Sequence, residues 1–311
     1  MSEHAKASGE MRAGLLDRGP VLALVAFSLV AIAGFGLFGQ NPGRLSSLSP
    51  AVVRFYGVSF GFFAQAQVIL AGLVLGIHLY RRAGWRWLGA FAAVYAVSLG
   101  SELMGTAWGI PFGPYAYTDL LGAKWLGLVP LLIPLSWFFM AVPSYGLASW
   151  VLDAGGRRGG PFGRILLGSL LLLSWDLSLD PAMSEVTKYW VWGERGPYYG
   201  MPLMNLVGWY VTGVVLMGVL EALGSRRWVE RITPAWHGSY YAANLVLPLG
   251  MCLVAGLWGA AVATALVLGG VVVWASLRSR TPGYALTEGS VVGGGVEGAS
   301  GEAPSGAEVV R

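Results

Sequence analysis

The stretch SYYAANLVLPLGMCLVAGLWGAAVATALVLGGVVVWASL, residues 239–277, decides the fold. It runs for nearly 40 residues without a charged side chain. As a single helix rising 1.5 Å per residue it would be roughly 58 Å long, about twice the ~30 Å hydrocarbon thickness of a bilayer. Gly256-Leu-Trp-Gly259 offers a turn near its middle, so the stretch reads as two crossings, 239–255 and 258–277.

Working outward, apolar runs of spanning length predict six further crossings at 21–38, 56–80, 87–106, 126–152, 164–179 and 203–221. The composition agrees: 55% of residues are hydrophobic and 12% charged, about half the charge of a soluble domain. The expected fold is all-α, a polytopic bundle of about eight transmembrane helices in the cell membrane. The first helix should be retained, since no small-residue cleavage pattern follows the basic start.

The basic residues set the expected orientation. With the N-terminus in the cytoplasm, fifteen fall on that side: Lys6, Arg12, Arg18, Arg81, Arg82, Arg86, Arg157, Arg158, Arg164, Arg226, Arg227, Arg231, Arg278, Arg280 and Arg311. Five fall outside: Arg44, Arg54, Lys124, Lys188 and Arg195. This bias predicts that both termini are cytoplasmic, and a seven-helix arrangement would break it at the C-terminal arginines. The expected organisation is a cytoplasmic segment at 1–19, a transmembrane domain at 20–280 and a disordered cytoplasmic tail at 281–311. The pI near 9.2 reflects this topology rather than nucleic-acid binding, because the basic groups are scattered between apolar runs.

Three signatures then cluster in the outer half of the bilayer. They are ELMG at 102–105 running into GIPFGPYAYTD at 109–119, WDLSLDP at 175–181, and WVW at 190–192 followed by GPYYGMPLMN at 196–205. Glu102 sits about one turn inside a span, where a carboxylate costs about 2.5 to 3.5 kcal/mol and needs compensation. It reads as a functional group or as a structural carboxyl bonded to a neighbouring helix. Asp176 and Asp180, four apart, share a helix face. They suit a metal or diphosphate site, a coupled acid and base, or a helix end whose acids meet water or Lys188. Asn205 and Trp209 form a polar and aromatic stripe, and an intramembrane Asn also serves as glue between helices. The surrounding Trp and Tyr rings have an alternative reading as an interfacial belt. Pro130 and Pro134 are expected to kink the fourth helix.

Other chemistries find little support. Cys252 is the one cysteine and lies in an apolar run, so it reads as a packing thiol. The chain has three histidines, too few for a histidine-rich iron site; His78 and His237 could in principle share a haem but read better as ordinary helix-end side chains. The GGGVEG run at 293–298 lacks the flanking strand and helix of a dinucleotide site.

At Glu102 with Gly105, PFGPYAY at 111–117, VPLLIP at 129–134 with Trp137, Asp176 with Asp180 and Pro181, and Gly200, Pro202, Asn205, Gly208 and Trp209, the chain resembles a known family. This is the family of membrane carotenoid biosynthesis proteins that includes the carotenoid 1′,2′-hydratases of the bisanhydrobacterioruberin hydratase type. The resemblance implies addition of water to the terminal C1′,C2′ double bond of an acyclic carotenoid end, of lycopene, γ-carotene or bisanhydrobacterioruberin kind. It implies a tertiary alcohol product and no organic cofactor, and no metal-binding residues are assigned. The expected partners are the lipophilic substrate, water and the bilayer, with other enzymes of the same pathway as candidates.

Hydrating such an alkene needs a proton, a briefly held tertiary cation and a water. A carboxylic acid kept neutral by burial suits the first step, which points to Glu102 or Asp176. Asp180, nearer water, could orient and deprotonate the nucleophile. Tyr115, Tyr117, Trp175 and Trp209 could face the cation, a contact worth up to about 2 kcal/mol when desolvated. Trp190 and Asn205 complete the expected substrate-binding set. Two alternatives stand beside this reading: a prenyltransferase using Asp176 and Asp180 for diphosphate and Mg²⁺, and a carotenoid-binding or transport protein without catalysis.

Overall fold

The computed structural model describes residues 3–154 and 159–280. Among the described residues, eight helices have 20 or more residues. They are α1 (Glu3–Gly34), α2 (Pro50–Ala83), α3 (Leu88–Trp108), α4 (Leu132–Asp153), α5 (Pro161–Asp180), α6 (Leu203–Ala222), α7 (Pro234–Val254) and α8 (Trp258–Arg280). The tail at 281–311, its glycine-rich run and Arg157 and Arg158 lie outside the described residues.

Seven of these helices are long and apolar enough to cross a membrane, and the chain is a polytopic helical membrane protein. The exception is α7. It is 21 residues long, but its first half carries Trp236, His237, Tyr240, Tyr241 and Asn244, all buried. Mean hydropathy measures fitness for lipid, and these polar atoms face protein instead. The sequence break between α7 and α8 falls where expected, with Gly256 in the left-handed region at φ 76° and Leu257 N–H bonded to the Cys252 carbonyl at 2.8 Å.

The centre of the bundle is α4, 83% of whose spanning window is buried, against 17% for α8 at the rim. Around it pack α2, α3, α5 and α7, and α6 lies against α5 and α3. Large apolar side chains such as Phe55, Phe62, Leu266 and Val272 are exposed on the outer helices, where lipid would cover them.

The fourth helix begins later than its apolar run. Residues 124–130 form a tight antiparallel pair, β2 (Lys124–Trp125) with β3 (Val129–Pro130), around Gly127 at φ 73°. Pro130 therefore precedes α4 and Pro134 lies in its first turn, where a missing N–H costs nothing. Neither kinks the helix, contrary to expectation; the proline inside α4 is Pro143.

The two ends of the bundle differ in chemistry. At one end Arg164 makes a forked pair with Glu221 at 3.0 and 2.6 Å, Tyr145 donates to the same carboxylate at 2.5 Å, and Arg226 meets Asp153 at 2.7 Å. The opposite end holds the loops 109–131 and 181–202, which together with the adjoining ends of α3, α5 and α6 carry the three signatures. His78 and His237 offer no open face: His78 stacks on Trp236 at 3.8 Å, and His237 lies against Gly146 so closely that a Cβ there would meet its Nε2 at 2.5 Å.

Candidate active site

Glu102 lies in the last two turns of α3, which stops at Gly109. This glycine adopts φ 72° and returns its N–H to the Gly105 carbonyl at 2.8 Å, a left-handed helix cap that few other residues accept. The chain then doubles back as β1 (Tyr115–Tyr117). Across from it, β4 (Trp190–Trp192) pairs antiparallel with the register Tyr115 to Trp192, Ala116 to Val191 and Tyr117 to Trp190. Side chains alternate in a strand, so YAY and WVW place four aromatic rings on one face and Ala116 and Val191 on the other. Val191 is exposed, while Tyr115 and Trp190 are buried.

That aromatic face covers the carboxyls. Tyr115 and Tyr117 both donate to Glu102 Oε2, Tyr117 at 2.8 Å, and Trp137 Nε1 from α4 donates to Oε1 at 2.8 Å. Burial, and next the neighbouring Glu102 carboxylate, hold both phenols well above the ordinary tyrosine range. They remain hydrogen-bond donors at any physiological pH. Close approach of α3 to this face depends on Gly105, where a Cβ would meet the Phe112 ring at 2.7 Å and the Tyr115 hydroxyl at 2.9 Å.

Asp180 closes the other wall from the end of α5. Trp190 Nε1 donates to its Oδ1 at 2.7 Å, and Asn205 Nδ2 from α6 donates to its Oδ2. The same amide reaches Asp176 Oδ2 at 3.1 Å, so one side chain bridges both aspartates. Asp176 Oδ1 is buried without a hydrogen-bond partner. The third sequence reading of this pair, a helix end meeting water or Lys188, does not hold. Asp176 and Asp180 are 0% and 1% exposed, and Lys188 instead pairs with Glu185 at 3.2 Å. A π-helical turn over Pro181–Val186 carries the chain onward beyond Asp180 and swings Lys188 away.

Between these walls lies a cavity of about 40 Å³, lined by Glu102, Asp180, Asn205, Trp209 and the aromatic face of β1 and β4. A water needs about 10–15 Å³ measured this way, so the cavity has room for one or a few. Of the residues picked from sequence, Glu102, Tyr115, Tyr117, Asp180, Trp190, Asn205 and Trp209 line it. Asp176 stands behind the wall, reached through Asn205. Trp175 lies outside it as well: its Nε1 donates to the Asn244 carbonyl at 3.1 Å, and its ring meets Trp209 edge-on at 6.0 Å.

Sequence reading gave no site role to Trp137, which both donates to Glu102 and stacks on Trp209 at 4.0 Å and 25°. Trp192, Phe112 and Ser136 also line the cavity without having been singled out. For Trp192 a signal existed, the matched alternation of YAY and WVW. Among the described residues no three His, Cys, Asp or Glu side chains converge to hold a metal.

With this geometry in view, comparison with known proteins is specific. The family described as "Carotenoid biosynthesis protein" matches residues 63–272, and the chain belongs to that family. The match takes in every residue named at the cavity. Among curated proteins, the chain is 32% identical over 166 residues to the "Bisanhydrobacterioruberin hydratase" of Haloarcula japonica, covering 53% of each. The chain therefore spans about half the length of the curated relative it matches. No solved structure gives a significant match.

Proposed function

We propose that this protein hydrates the terminal C1′,C2′ double bond of an acyclic carotenoid end group, without a cofactor, to give a tertiary alcohol. The observation that carries this reading is the pairing of two carboxyl systems, one on each side of a water-sized cavity faced with aromatic rings. The hydratase relative supports the reaction class.

The hydrogen-bond inventories divide the labour. Glu102 receives three donors, two phenols and an indole, which suits an ionised carboxylate that only accepts. Asp176 and Asp180 share the donors of one amide, Asp180 also accepts from the Trp190 indole, and Asp176 Oδ1 has no donor at all, which suits a pair that holds one proton, kept on Asp176 at rest and passed to Asp180 for use. Asp180, the member that lines the cavity, gives this proton to C2′. The tertiary cation at C1′ rests against the rings of Trp137, Trp209 and Trp190, at a gain of up to about 2 kcal/mol per desolvated contact. Water oriented by Glu102 forms the new C–O bond, and its surplus proton passes to Glu102. Return of one proton from Glu102 through water to the aspartate pair resets the site, so the sum is alkene plus water to alcohol. These roles reorder the assignment drawn from sequence, in which Glu102 or Asp176 was the acid and Asp180 the base.

The signature end is proposed to face outward and both termini the cytoplasm, as the distribution of basic residues indicates; the cell membrane is the proposed location. The decisive test incubates membranes containing the recombinant protein with lycopene or a monocyclic carotene in heavy-oxygen water. Product carrying the label at one tertiary alcohol per hydrated end is expected, with no dependence on Mg²⁺ or a diphosphate. Unlabelled substrate returned by well-inserted protein overturns the proposal.

A further inference from the structure

The carboxylate cavity is too small for an isoprenoid end, let alone the polyene behind it, so the chain must reach the acids from somewhere. Beside it lies a second cavity of about 80 Å³, and the two share the wall residues Ile133, Ser136, Leu179 and Trp190. That second cavity shares Ala64, Met183, Tyr189 and Leu247 with a third, of about 410 Å³. The third lies at the signature end, among the close of α1, the start of α2, the turn at 183–189 and α7. The three adjoin in sequence, wide at the lipid-facing edge and narrow at the carboxyls.

The walls of the wide cavity suit a hydrocarbon. Its hydroxyls are mostly turned into the backbone: Ser59 donates to the Tyr56 carbonyl at 2.6 Å, Thr187 to Ala182 at 2.9 Å and Tyr189 to Phe60 at 2.8 Å. Tyr56, whose buried hydroxyl has no hydrogen-bond partner, is the exception. Phe55 and Val52 line the same cavity and are 69% and 43% exposed, so its mouth opens where lipid would lie. Among the described residues, no charged side chain lines either the wide or the middle cavity.

We infer that these adjoining cavities are the binding path of a linear polyene, which lies in the wide cavity and threads its acyclic end past Ala64, Met183 and Leu247 to the carboxyls. The inference rests on the hydratase reading for its reaction, while the path itself is a matter of binding. A small side chain at Ala64 and a flexible thioether at Met183 leave the constriction adaptable. The narrow middle cavity selects an acyclic, methyl-branched terminus and excludes a cyclised one. A bilayer acyl chain is the competing occupant, but it has no reason to continue into a polar cavity.

The test measures lycopene bound to the purified full chain in detergent, read from polyene absorbance that co-elutes with protein. Ala64→Trp on α2 and Leu247→Trp on α7 fill the constriction and should each weaken lycopene binding at least tenfold. Ile69→Trp, on an exposed face outside the path, should bind as wild type. As an independent measure that needs no bulky insertion, Phe55→Cys is labelled with N-ethylmaleimide; lycopene should slow labelling at least tenfold. The native Cys252 is buried. Wild-type binding in both folded tryptophan variants, or labelling indifferent to lycopene, overturns the path. Path-dependent binding without heavy-oxygen product would leave the path standing and remove the hydratase reading; labelled product without path dependence would do the reverse.

Discussion

Replacing Glu102 by glutamine preserves the size of the side chain and removes its charge. Trp137 Nε1, 2.8 Å from Oε1, still has an oxygen to meet, but the new amide nitrogen is a donor facing the Tyr115 and Tyr117 hydroxyls. Both phenols can rotate their hydrogens away and accept, so the pocket need not collapse. Hydrogen bonds to a charged group contribute about 1.5–3 kcal/mol against about 0.5–1.5 for neutral pairs, so each of the three bonds weakens by roughly 1 kcal/mol. The larger effect falls on catalysis. A glutamine cannot take the proton from water, and loss of a general base costs about 10²- to 10⁴-fold. Turnover of lycopene by Glu102→Gln, followed by chromatography of the alcohol, should fall in that range with binding of lycopene nearly unchanged. Activity within tenfold of wild type in properly inserted protein would refute Glu102 as the base. Loss of cooperative thermal unfolding would make it a structural carboxyl instead.

Other changes have distinct signatures. Gly208→Ala places a Cβ 2.7 Å from the Pro111 carbonyl oxygen and the Phe112 ring, and such overpacking costs about 1–3 kcal/mol. Its thermal midpoint and turnover should fall together, and an unchanged midpoint would contradict the contact. Arg164→Leu leaves Glu221 without its forked partner at the far end of the bundle; Glu221 is partly exposed and keeps its bond from Tyr145, so the cost falls below the about 3–5 kcal/mol of a fully buried pair, and the midpoint should drop while lycopene binding by the surviving folded protein stays as in wild type. Lys124 holds the Asp119 carboxyl below its ordinary range, and a depressed folded value means any stabilisation is present above the unfolded carboxyl range and is lost as pH falls through the lowered one. Because Asp119 is fully exposed, Asp119→Asn should leave the neutral-pH midpoint unchanged in moderate salt, and a clear drop would show that the loop depends on this pair.

Much of the scaffold was legible because lipid imposes a simple rule. Runs such as 258–277 must be helices to satisfy their backbone, and the break at Gly256 follows from bilayer thickness. The same rule fails where protein replaces lipid: α7 is as long as its neighbours but too polar by composition, since Trp236, Tyr240 and Asn244 face the core. It fails again at 126–131, where an apolar run forms a short strand pair before α4 begins. At the site, the intramembrane acids were conspicuous by cost alone. Their environment was not, because the pairing of β1 with β4 joins segments 70 residues or more apart, and nothing local links Trp137 to Glu102. Asp180 shows the difference most clearly: its place before Pro181 suggests a solvated helix end, yet the π-helical turn and Trp190 fold over it and seal it.

The most direct measurement is the isotopic content of the product formed from lycopene in deuterated, heavy-oxygen water. Delivery of a solvent-derived proton by Asp180 and capture of water by the cation predict one deuterium at C2′ and one heavy oxygen at C1′ for each hydrated end, with neither label entering in Asp180→Asn. An alcohol lacking heavy oxygen, deuterium at any other carbon, or full labelling by Asp180→Asn would contradict acid-catalysed hydration in this cavity.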